Sequence, residues 1–81
     1  MVIKLDSGFE IIRFSDLTYE EITMEIQYKG VQVAQINKDK GIDKLEIEIY
    51  TEPIESDFSL KFMLSDFLVA INEAQKLLAE Q

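Results

Sequence analysis

One stretch constrains this chain more than any other: Ser65 to Glu80, SDFLVAINEAQKLLAE, where Phe67, Ala70, Ile71, Ala74, Leu77 and Leu78 recur at i, i+3, i+4, i+7, i+10 and i+11. That spacing lays six apolar side chains along one stripe of a helix, and the pattern predicts a helix over 66–80. A stripe of this kind must be buried against something. Nearly all of the preceding sequence reads as strand, so its partner is a sheet made by the same chain. With 81 residues there is room for one domain and one modest core, because a chain this short buries only roughly 60% of the surface its unfolded state exposes.

The strands follow from alternation and turn chemistry. VIKL and FEIIRF, separated by Asp6-Ser7-Gly8, predict strands over 2–5 and 9–14 joined by a tight turn. In SDLTYEE, Thr18 and Glu21 have the spacing of a capping box and allow a single helical turn. Beyond it, Ile22, Met24, Ile26 and Tyr28 alternate with Glu21, Thr23, Glu25 and Gln27, which predicts a strand over 20–28. Gly30 supplies a hairpin turn into a strand over 31–37. The sides of that strand are mixed, as expected of a bulge or of burial on both faces. After the turn-rich NKDKGID comes the cleanest alternation in the chain, Leu45, Ile47 and Ile49 against Lys44, Glu46, Glu48 and Tyr50, a strand over 44–50. TEPIESD holds the only proline and reads as a solvated connection. FSLKFML then resumes alternation as a strand over 58–64, with Ser65 as helix cap and Asp66 at the positive helix end.

The expected fold is therefore α+β: an antiparallel meander of four to six strands with one C-terminal helix on one face. A helix of about 15 residues is roughly 10 Å wide, whereas five strands span roughly 24 Å, so it cannot cover the whole face. Apolar surface left over invites a second copy or another protein.

Side-chain chemistry narrows function mainly by what is missing. Without histidine or cysteine, the commonest proton shuttle, thiol nucleophiles, disulfides and cysteine metal sites are excluded. No serine sits in a nucleophile elbow. Paired glutamates on an open sheet face offer little of the concavity that tunes a catalytic carboxyl. The loop Asn37 to Asp43 imitates the start of a calcium loop, but Gly41 stands at the fifth ligand position and Ile42 where the turn glycine belongs. A non-enzymatic chain without metal or cofactor is expected. The first residues carry no signal or transit pattern and no apolar run reaches the roughly 18 residues of a membrane span, so the expected location is the cytoplasm.

Charge points to a partner class. Sixteen acids against eight bases, a net charge of −8, disfavour nucleic acid and anionic membranes and favour a basic protein. If the helix covers the side of Ile22, Met24, Ile26, Leu45, Ile47 and Ile49, the opposite side presents Glu21, Glu25, Glu46, Glu48 and Tyr50, and the acidic run continues through Glu52, Glu55 and Asp57. That surface is the candidate docking face for a basic target, with Tyr50 or Met63 as anchors, of the physical type of an immunity protein or inhibitor. The bland alternative is an ordinary wet sheet face on a structural or regulatory homodimer, with acidity serving only solubility.

Overall fold

The computed structural model describes residues 1–50 and 60–81. Among them the elements are β1 (Val2–Lys4), β2 (Phe9–Phe14), β3 (Thr23–Tyr28), β4 (Val31–Asn37), β5 (Glu46–Ile49) and α1 (Leu64–Ala79). The strands lie in sequence order in one sheet, and every neighbouring pair is antiparallel. The α+β meander with its C-terminal helix is as the sequence predicts.

Local chemistry fixes the reversals. At the β3–β4 hairpin both central residues have positive φ, Lys29 at 48° and Gly30 at 84°, the arrangement whose twist matches that of the flanking strands. Gly41, at φ 111°, bends the β4–β5 loop so that its N–H donates to the Lys38 carbonyl at 2.9 Å and its carbonyl accepts from Lys44 at 3.0 Å. The mixed sides of β4 also have a cause. Ile26 faces Ala34 but Gln27 faces Gln32, leaving Val33 as the extra residue of a bulge. This one-residue slip brings Val31 onto the face of Ala34 and Ile36, from which strict alternation would separate it.

Phe9 and Ile11 from β2, Met24 and Ile26 from β3, and Ala34 and Ile36 from β4 form the core with Ala70, Ala74 and Leu78 of α1. Alanine at two successive helix turns lets the backbone of α1 lie close to the sheet. At the helix start, the Phe9 ring packs with those of Tyr28, Phe62 and Phe67 at centroid distances of 4.8, 4.9 and 5.8 Å. At the other end Lys38 Nζ donates to the carbonyls of Leu78 (3.4 Å) and Gln81 (2.7 Å), placing a cation at the negative pole of the helix. No helix among the described residues is long and apolar enough to cross a membrane.

Some boundaries differ from expectation. The helix starts at Leu64, its N-cap is Met63 with no side-chain bond, and Ser65 lies inside the first turn rather than capping it. The main-chain carbonyl of Met63 accepts from Phe67 N–H at 3.2 Å, so the helix begins as soon as Phe62 is anchored among the aromatic rings. For the same reason the expected strand over 58–64 does not form over 60–63: Leu60 and Phe62 turn into the core. Residues 58 and 59 lie outside the described residues. β3 starts at Thr23, not at 20, because the N–H groups of Glu20 and Glu21 donate to the Asp39 carboxylate (3.1 and 3.0 Å) instead of to a neighbouring strand.

The helix lies over β2, β3 and β4 but not over β5. Ile47 and Ile49 pair with Ile36 and Ala34 and so share their face, yet they remain 47% and 54% exposed. The width mismatch between helix and sheet thus leaves its apolar remainder on β5.

Candidate functional site

The side of the sheet turned away from α1 carries Thr23, Glu25 and Gln27 from β3, Gln35 and Asn37 from β4, and Glu46 and Glu48 from β5, as the strand registers require. The expected sidedness of Glu25, Glu46 and Glu48 holds. The expectation that this side is uniformly wet does not. It divides into a buried polar zone over β3 and β4 and an exposed acidic zone on β5.

In the buried zone Glu25 is only 6% exposed. Its carboxylate accepts from Gln27 Nε2 (2.8 Å), Gln32 Nε2 (3.0 Å) and the Tyr50 hydroxyl (3.2 Å), and among the described residues no lysine or arginine pairs with it. Gln35, 1% exposed, donates to Thr23 Oγ1 (2.6 Å) and Asp16 Oδ2 (3.3 Å) and accepts from Tyr50 at 3.1 Å. Thr23 in turn donates to the Phe14 carbonyl at 3.1 Å. Every buried side-chain nitrogen and oxygen among the described residues has a partner, so this is a closed polar layer rather than a vacant ligand site. Glu25 is therefore removed from the docking surface, and the Tyr50 hydroxyl points into the layer. Burial, with the Glu25 carboxylate beside it, pushes the Tyr50 phenol well above its usual value.

A loop closes the layer. Asp16 forms an Asx turn, its Oδ1 accepting from Thr18 N–H at 2.9 Å while its carbonyl accepts from Tyr19 N–H at 3.0 Å. The helical turn expected from a box between Thr18 and Glu21 does not form; a hydrogen-bonded turn over Asp16 to Tyr19 takes its place. The Thr18 N–H bond holds the Asp16 carboxyl below the usual 3.8. A carboxyl depressed by folding contributes stability that is complete above its unfolded pKa and lost as pH falls through the folded one. We therefore expect acid unfolding followed by fluorescence to show a shallower loss of stability below about pH 4 in Asp16→Asn than in the wild-type chain.

The exposed zone is built around β5. Glu46 and Glu48 both face solvent; Glu46 meets Lys40 at 2.9 Å, and Glu48 accepts from the Tyr19 hydroxyl at 2.9 Å. That bond raises the Tyr19 phenol, since ionising it would set two anions side by side. Tyr19, Asn37, Glu46, Ile47 and Glu48 line a shallow depression of about 240 Å³. Glu21 lies beside this region in the loop, not on a strand, and is exposed. Glu52, Glu55 and Asp57 lie outside the described residues. Among the described residues no three acidic side chains converge as a metal site.

Of the expected docking residues, then, the structure keeps Glu46, Glu48 and Glu21 at the surface and withdraws Glu25. Nothing in the spacing of Tyr19 marks it as a partner of Glu48, whereas the Asp16–Thr18 spacing of an Asx turn is readable along the chain. The chain matches no known family model, no curated protein and no solved structure.

Proposed function

We propose that this chain is a small, non-catalytic protein-binding module of the inhibitor or immunity type, docking a basic protein through the β5 end of its acidic side. The observation that carries the reading is the state of Glu46 and Glu48: two exposed carboxylates on one side of one strand, with only Lys40 to offset them among the described residues. A net charge of −8 adds a long-range field that speeds encounter with a basic surface and repels nucleic acid. The closed hydrogen-bond layer over β3 and β4, beside β5, favours binding over catalysis, because both oxygens of its Glu25 carboxylate already accept hydrogen bonds. Beside the docking groups, on the same side of the sheet, it serves as a rigid support.

The second reading, a homodimer, is favoured by the exposed Ile47 and Ile49 and by Leu68 and Val69 on the outer side of α1. One experiment separates the two. Affinity capture from the native host is run with the wild-type chain and with Glu46→Lys/Glu48→Lys, at about 0.05 M and about 0.5 M salt, alongside light scattering of the free chain. The binding module predicts a partner retained by the wild type at low salt and lost on charge reversal or at high salt. A dimeric mass for the free chain, with no salt-sensitive or charge-sensitive partner, sinks the proposal.

A further inference from the structure

The outer edge of β5, unpaired among the described residues, has two properties that bear on what could bind there. Resting on the reading of Glu46 and Glu48 as docking groups, we propose that this edge takes an extended basic segment of the partner as an added strand. Lysine or arginine at alternate positions would lie against Glu46 and Glu48, and the intervening apolar residues against Ile47 and Ile49.

The backbone supplies the first property. Tyr50 N–H donates to the Val33 carbonyl at 3.1 Å, which makes Val33 and Tyr50 a hydrogen-bonded pair. Alternation along an antiparallel ladder then assigns the inward bonds to Glu48 with Gln35 and to Glu46 with Asn37. The N–H and C=O groups of Ile47 and Ile49 consequently point outward. Among the described residues β5 is the last strand of the sheet and nothing pairs with that edge. Such a row of outward donors and acceptors is a template for strand addition.

The side chains supply the second property. On one side of the edge stand two glutamates, and on the other two half-exposed isoleucines that α1 does not reach. An added strand that is basic on one side and apolar on the other satisfies both in a single register.

A second copy of β5 does not fit. Two identical strands paired antiparallel about a two-fold axis perpendicular to the sheet keep each residue on its own side, so glutamates always fall among glutamates: Glu46 opposite Glu48 in one register, Glu48 opposite itself in another. Like charges directly opposite destabilise a sheet pair. β1 of another copy matches better in pattern, since Lys4 lies opposite Glu10 and Ile3 opposite Ile11, but head-to-tail addition of this kind continues without closing. It offers three residues and one cation, fewer contacts than a dedicated basic strand.

The test uses the intact 81-residue chain and a fluorescent peptide of alternating lysine and isoleucine, compared with three others. These are the same peptide N-methylated on the amides that would face β5, a peptide of equal composition in two blocks, and an alternating glutamate and isoleucine peptide. We expect the alternating basic peptide to bind best and N-methylation to weaken it at least about tenfold, as loss of the main-chain bonds requires. Glu46→Lys/Glu48→Lys should weaken it on the order of tenfold at low salt and confer binding of the acidic peptide. Glu48→Gln, nearly isosteric, provides an intermediate loss if the double variant is poorly folded. Equal binding of the N-methylated or block peptide, with charge reversal still abolishing it, overturns strand addition and leaves the acidic docking surface standing. Indifference to charge reversal overturns both. Concentration-dependent growth of the free chain, blocked by Lys4→Glu, overturns the proposal in favour of head-to-tail self-assembly.

Discussion

Phe9→Ala lowers stability by about 3–5 kcal/mol, the range for deleting a fully buried aromatic ring, and urea denaturation of the variant should show it as a large fall in midpoint with little change in slope. Phe9 is completely buried, and its ring packs with those of Tyr28, Phe62 and Phe67. The loss therefore combines burial with three aromatic contacts that fix the approach of the chain to α1. A domain of this length holds on the order of 4–12 kcal/mol in all, so the variant stands near the edge of folding. Phe14→Ala is the control. That residue ends the same strand on the other side of the sheet and is 43% exposed, and its truncation should cost under about 1 kcal/mol. Comparable losses from the two would contradict the placement of the core.

Tyr50→Phe removes one oxygen and should cost about 1–3 kcal/mol. The single hydroxyl proton is shared between two acceptors, Glu25 Oε1 and Gln35 Oε1. Glu25 retains its two glutamine donors when the bridge is lost, but the carbonyl of Gln35, on a side chain that is almost wholly buried, is left without a partner. The penalty should thus shrink when the same change is made in Gln35→Leu, a non-additivity that a double-mutant cycle measures directly. The alkaline limb gives a second signature. Because folding raises the Tyr50 phenol above 10, its contribution is complete below the unfolded pKa and is lost as pH rises through the folded one. Wild-type stability should fall more steeply above about pH 10 than that of Tyr50→Phe. Equal slopes and an additive cycle would mean that the polar layer does not act as a unit.

Fold and site were legible in the sequence to different depths, for physical reasons. Strand alternation and the helix stripe are local properties, so β1 to β5 and α1, their antiparallel connection and the sidedness of Glu46, Glu48, Ile47 and Ile49 could be read along the chain, whereas the alternation over 60–63 did not become a strand. Whether a side is wet is not local. Glu25 and Glu48 hold equivalent positions in alternating segments, but Glu25 belongs to a central strand and has Tyr50 and two glutamines around it, whereas Glu48 is on an edge. Nothing in the spacing of either residue distinguishes them. Ser65 illustrates a local rule losing to tertiary packing: a good capping side chain was present, but the anchoring of Phe62 started the helix two residues earlier. The bulge at Val33 was visible only as an irregularity in the β4 pattern, and the register resolves it.

Amide hydrogen exchange at β5 reports whether this strand presents an open edge flanked by glutamates on one side and isoleucines on the other. In the free chain the amides of Glu46 and Glu48, bonded inward to β4, should exchange slowly and those of Ile47 and Ile49 quickly. Addition of a basic extended ligand should slow the second pair and leave the first little changed. Protection of Ile47 and Ile49 in the free monomer, before any ligand is added, would mean that the edge is already occupied and would contradict the account.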